Sequence, residues 1–63
     1  MINLEKIKEW LKDNDLNQSD LALILGCSRQ TVNYKLKGKR KFDLGDIKRI
    51  AEASGKKITY FLS

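Results

Sequence analysis

Two short apolar stripes lie on either side of Gly26-Cys27-Ser28, and this arrangement constrains the chain more than any other feature. Leu21, Ala22, Ile24 and Leu25 form the first stripe, on a helix of only about two turns expected over residues 18–25. Val32 and Leu36 form the second, on a helix expected over residues 29–37. Gly26 can end the first helix in a left-handed conformation, and Ser28 fits the N-cap of the next. The two helices must then cross closely. Ala22 supplies a small side chain for the crossing, Gly26 tolerates positive φ at the turn, and Cys27 is a compact hydrophobe that can plug the core behind it.

The flanks carry stripes of their own. Leu4, Ile7, Trp10 and Leu11 recur at steps of three and four, so a helix is expected over residues 4–12 with Asn3 as its cap. Residues 13–17 are rich in side chains that bond nearby backbone and should end that helix and start the next. Lys37 to Lys41 is a loop by composition. Asp43, with Phe42 before it and Asp46 three residues on, makes a weaker capping box for a helix over 44–54, whose Leu44, Ile47, Ile50 and Ala51 point inward until Gly55. The ending Ile58-Thr59-Tyr60-Phe61-Leu62 remains open: its composition suits a strand, while Thr59 can cap a final helical turn over 59–62. The expected architecture is all-α, with five helices in a single domain spanning 1–63 and no repeat or linker.

Composition narrows the function. A chain of 63 residues buries only about 60% of its unfolded surface, which leaves little room for an enclosed substrate pocket, so no small-molecule ligand is expected. It has no His and a single Cys, so an imidazole base, a histidine metal ligand, an internal disulfide and a multi-thiolate zinc site are all excluded. No metal or cofactor is expected. Catalysis would draw only on Asp, Glu, Lys, Ser and Cys27, with no recognisable pairing of nucleophile and base, and an enzyme is not expected. The apolar runs 21–25 and 58–62 fall far short of the roughly 20 residues that cross a bilayer, and the first residues do not look like a signal peptide. A reduced, cytoplasmic setting without a membrane partner follows as an expectation.

Charge is unevenly placed. Residues 1–27 carry 3 basic and 5 acidic side chains, whereas residues 28–63 carry 10 basic and 3 acidic, a net +7. With Val32 at zero and steps of about 100° per residue, Leu36 falls near 40°, and Arg29, Asn33, Lys37, Gln30 and Tyr34 fall at roughly 60°, 100°, 140°, 160° and 200°. Every outward position is polar, cationic or amphipathic. Arg can fork onto guanine O6 and N7, Gln and Asn can pair with adenine N6 and N7, and Tyr can reach a phosphate or a thymine methyl. A helix facing water is polar in any protein. Yet no acidic residue occurs between Ser28 and Phe42, which favours a polyanion as the partner. Two helices joined in this way suggest a helix-turn-helix, with the second helix in the DNA major groove.

The run from Gln18 to Val32 resembles the helix-turn-helix of lambda-repressor-like phage Cro and repressor proteins, with Gln18, Leu21 and Ala22 early, Gly26 at the turn, Ser28 and polar residues next, then β-branched Val32. With Phe42, Ile47, Ile50, Ala51 and Tyr60-Phe61-Leu62 the resemblance covers nearly the whole chain. It implies a five-helix domain that binds operator DNA as a dimer. Carried onto this sequence, it makes Arg29, Gln30, Asn33 and Tyr34 the base readers. Asn17, Gln18, Ser28, Thr31, Lys35, Lys37, Lys39 and Arg40 become the phosphate contacts. One departure is that many members carry an apolar residue at the place of Lys35, a role that Leu36 takes here. The stretch Lys35-Leu36-Lys37-Gly38-Lys39 looks like a variant found in phages and prophages of Gram-positive bacteria.

Several residues admit two readings. Gln18 can satisfy free amides at a helix start or receive phosphate there. Lys35, at about −60° on the wheel, can lay its stem on the core edge while its ammonium reaches outward. Cys27 fits burial in the turn better than a redox role. Tyr60, Phe61 and Leu62 either cap the core or meet a second copy. The latter gives a homodimer through the C-terminal region, whose two reading helices would match a palindromic site, and a strand from Ile58 to Phe61 pairing across the dimer is the other geometry. With no effector segment after residue 63, the expectation is a Cro-type transcriptional repressor acting on double-stranded DNA. The other function considered is an antitoxin or anti-repressor that uses the same fold to bind protein.

Overall fold

Side-chain caps decide where the helices begin. In the computed structural model, which describes residues 2–62, Asn3 caps α1 (Leu4–Asp13) by accepting from the Lys6 amide at 3.2 Å. Asn17 and Asp20 form a reciprocal capping box at α2 (Gln18–Leu25), with both bonds at 2.9 Å. Ser28 Oγ accepts from the Thr31 amide at 3.1 Å to start α3 (Arg29–Leu36). Asp43 and Asp46 repeat the capping box at α4 (Leu44–Ser54). Each cap satisfies backbone donors that the first helical turn leaves free.

Between α2 and α3 the chain turns at Gly26, whose φ of 69° lies in the left-handed region and whose amide donates to the Ala22 carbonyl. A Cβ at Gly26 would meet no atom within 4 Å, so only backbone strain opposes substitution there. Gly26→Ala is therefore expected to destabilise the domain by about 1–2 kcal/mol, read as a lower urea midpoint at unchanged m-value. An unchanged midpoint would show that the turn does not require this conformation.

The core lies between α1, α2 and α4. Ile7, Leu21, Val32, Ile47, Ile50 and Phe61 are fully buried, with Trp10, Leu11, Ala22, Leu25 and Phe42 around them. Leu36 and Cys27 are half-buried against this cluster. α3 therefore buries one residue completely, Val32, and packs mainly on α2. Leu44, expected to point inward, is 62% exposed, because the first residue of α4 projects beyond the core.

The expected count of five helices is corrected to four α-helices followed by a single 3₁₀ turn, Ile58–Phe61, among the described residues. Thr59 does not cap it: Lys57 holds that position and makes no side-chain cap bond. Four residues allow one tight turn, for which i to i+3 bonding suffices. Among the described residues the strand alternative survives only as one antiparallel bridge between Ile2 and Leu62, alongside the Asn3 amide donating to the Phe61 carbonyl at 2.7 Å. That bond ties the C-terminal turn to the start of α1.

Candidate nucleic-acid interface

The outer face of α3 is built from side chains that the core does not need. Arg29 and Gln30 are exposed in its first turn, Tyr34 is 37% exposed, and Asn33 is half-buried beside α2. Asn33 Nδ2 donates to Gln18 Oε1 at 3.3 Å, which joins this face to the start of α2. Gln30 Nε2 donates to the Tyr34 hydroxyl at 3.0 Å, and the Lys39 ammonium lies 5.9 Å from the Tyr34 ring centroid. Gln18, Arg29, Gln30, Asn33 and Tyr34 thus line one shallow, open concavity. This surface presents amide, guanidinium and phenol groups together, the donor and acceptor types that match base edges.

Cations border the concavity. The amides of Lys39 and Arg40 both donate to the Tyr34 carbonyl, at 2.9 and 3.3 Å, so the loop after α3 folds back on the end of that helix. Lys37, Lys39, Arg40 and Lys41 are exposed, and none of them, nor Arg29, pairs with a carboxylate among the described residues. α3 has no acidic residue in its first turn, so nothing offsets the positive end of its dipole. At the other border Asn17 is exposed but its side-chain oxygen is committed to the α2 cap. The Ser28 and Thr31 hydroxyls hydrogen-bond to one another at 2.9 Å.

Lys35 is placed differently from the expectation. Its ammonium is paired with the Asp46 carboxylate, the two side chains are only 11% and 7% exposed, and the Phe42 ring centroid lies 5.8 Å away. It faces α4 and not the open face of α3. A position at about −60° sits on the buried flank of α3, from which a long side chain can turn its ammonium toward a carboxylate of the neighbouring helix.

The C-terminal residues separate as well. Phe61 is 0% exposed and meets Trp10 edge-on at a centroid distance of 6.3 Å, so it belongs to the core of the monomer and offers no surface to a second copy. Tyr60 is half-buried between Lys6 and Lys56, whose ammonium groups lie 4.3 and 4.4 Å from its ring centroid. Leu62 is half-buried and bridged to Ile2. Of the three residues expected at a dimer contact, Tyr60 and Leu62 keep accessible surface.

Sequence reasoning missed two residues of α4 that tie it to its neighbours, Asp46 to α3 and Arg49 to α2. Asp46 was read only as a cap partner, although it is one of just three acidic residues in the basic segment 28–63 and the natural counter-ion there. Arg49 Nη1 donates to the Leu25 carbonyl at 3.3 Å, tying α4 to the end of α2, and no sequence pattern signals this.

Among the described residues no group of acidic or cysteine side chains could hold a metal ion, and no helix is long and apolar enough to cross a membrane. In comparison with known proteins, the model of a helix-turn-helix family matches residues 7–61. No curated protein and no solved structure matches the chain.

Proposed function

The chain belongs to the lambda-repressor-like helix-turn-helix family of DNA-binding regulators, and from that membership we propose that it is a Cro-like repressor of phage or prophage origin that binds a palindromic operator as a homodimer. One observation carries this reading: Arg29, Gln30, Asn33 and Tyr34 share a single open face of α3, bordered by cations that have no protein partner among the described residues. In the proposed complex α3 lies in the major groove. Arg29 forks onto a guanine, Gln30 and Asn33 read adenine edges, and Tyr34 packs on a thymine methyl or reaches phosphate. Lys37, Lys39 and Arg40, with Asn17, Gln18, Ser28 and Thr31, hold the flanking backbone. Two copies joined through Tyr60 and Leu62 place their reading helices about 34 Å apart, one DNA turn. Occupancy of such a site in a bacterial cytoplasm would block polymerase.

Selection of bound sites from random duplex DNA is expected to return a palindrome with half-sites one turn apart. On that site Arg29→Ala should cost about 1–3 kcal/mol and relax preference at one position per half-site. Lys39→Ala should weaken matched and scrambled duplexes alike and flatten the salt dependence. Equal losses on both duplexes for Arg29→Ala would remove it from the base readers, and a selection without any motif would overturn the operator reading.

A further inference from the structure

Two polar ties leave α3, one on each flank of its buried edge. On the α2 side Asn33 donates to Gln18; on the α4 side Lys35 pairs with Asp46. Measured around the helix from Val32, Asn33 stands at about +100° and Lys35 at about −60°, so the two ties straddle the single fully buried residue. Val32, with Leu36 half-buried about 40° away, anchors α3 through a narrow apolar stripe, which fixes depth better than rotation.

The α4 tie is the stiffer of the two. Asp46 Oδ2 also accepts from the Asp43 amide at 3.1 Å, and the Asp46 amide donates to Asp43 Oδ1 at 2.8 Å, so the capping box fixes the carboxylate before Lys35 reaches it. α4 itself is seated by Ile47 and Ile50, both fully buried. A chain of contacts therefore runs from the core through Asp46 and Lys35 to the axis of α3. Turning α3 by about 20° would carry side-chain tips at a radius of roughly 5–6 Å through about 2 Å, more than a hydrogen bond tolerates.

We propose that the Lys35–Asp46 pair is a positioning device that sets the rotation of α3 and so determines which base edges Arg29, Gln30 and Asn33 reach. This rests on the base-reading function proposed above. A buried ion pair adds little stability beyond an apolar pair of the same volume, so its contribution here is directional. Lys35 governs sequence preference without touching DNA.

The test compares the wild-type protein with two variants on selected and scrambled duplexes over a range of salt, with circular dichroism to establish folding. Lys35→Met with Asp46→Asn removes both charges while Asn can still accept from the Asp43 amide. Asp46→Glu keeps both charges but lengthens the tether by one methylene. The double variant is expected to keep the wild-type affinity and salt slope on scrambled DNA while its preference for the selected site falls by about tenfold or more. Asp46→Glu is expected to fold and to change which bases are preferred, and it carries the test should the double variant lose its helices. On the wild-type protein, the Nζ resonances of Lys37 and Lys39 should shift when DNA is added, and that of Lys35 should not.

Wild-type preference in the folded variants would overturn the proposal and leave the pair as packing. A salt slope shallower by about two, one for each copy, or a Lys35 resonance that follows Lys37, would make it a phosphate ligand instead. A wild-type protein that does not distinguish selected from scrambled DNA fails at the earlier step, removing the base-reading function and this inference together.

Discussion

Phe61→Ala is expected to lower the melting temperature of the domain sharply. The side chain is fully buried, meets the rings of Trp10 and Tyr60 edge-on at 6.3 and 5.1 Å, and belongs to the residue whose carbonyl accepts from the Asn3 amide. Truncating a buried Phe to Ala costs about 3–5 kcal/mol through lost burial and the cavity left behind. At about 0.05–0.15 kcal/mol per residue, a chain of 63 residues has roughly 3–9 kcal/mol of total stability. The substitution therefore removes between about a third and all of what holds the fold together. Thermal melts followed by circular dichroism should show a large fall in Tm, independent of protein concentration, with a smaller fall for Phe61→Leu. If Phe61→Ala instead keeps the wild-type melt and loses only a concentration-dependent association, Phe61 is an interface residue and its placement in the core is wrong.

The second large effect is on DNA affinity. Lys37, Lys39 and Arg40, three of the unpaired cations next to the reading helix, give six phosphate contacts in a complex of two copies, and raising salt from 50 to 200 mM should then weaken binding by about a thousandfold, with a slope of log K against log salt near −5. The pairing of Lys35 with Asp46 matters to this figure. Were Lys35 also on phosphate there would be eight contacts, with a slope near −7 and a loss closer to ten-thousandfold. Fluorescence anisotropy titrations of a labelled duplex at several salt concentrations separate the two. A slope shallower than about −3 would mean that the loop cations do not reach the backbone in the complex.

Much of this architecture can be read from local chemistry. Asn3, Ser28 and Asp43 precede apolar stripes, and a short polar side chain at that place bonds the free amides of the following turn whatever the rest of the molecule does. Gly26 is legible as a turn for a similar reason, since the backbone there must take positive φ. The outward face of α3 is also legible, because the angular spacing of Arg29, Gln30, Asn33 and Tyr34 follows from helix geometry alone once Val32 is taken as buried.

The rest depends on contacts between residues far apart in the chain. The wheel puts Lys35 on the flank of the buried edge, where a long amphipathic side chain can reach either toward solvent or inward, and only the presence of Asp46 across the groove decides between them. Phe61 shows the same limit. Its apolar ring must leave water, but composition cannot say whether Trp10 of its own chain or a second copy supplies the shelter. The last residues of the terminal segment meet the start of α1 across the length of the chain, Phe61 with Asn3 and Leu62 with Ile2.

What the amino-acid order determined by itself is the set of short-range choices: where helices start, where Gly26 turns the chain, and which side chains share a helical face. Those choices involve neighbours within about four residues, for which distances are set by backbone geometry. The tertiary structure alone decided the partners of the long amphipathic and aromatic groups, Lys35 with Asp46, Arg49 with the Leu25 carbonyl and Phe61 with Trp10. Those pairings follow from how the packed helices exclude water, and the exclusion exists only once all four have come together.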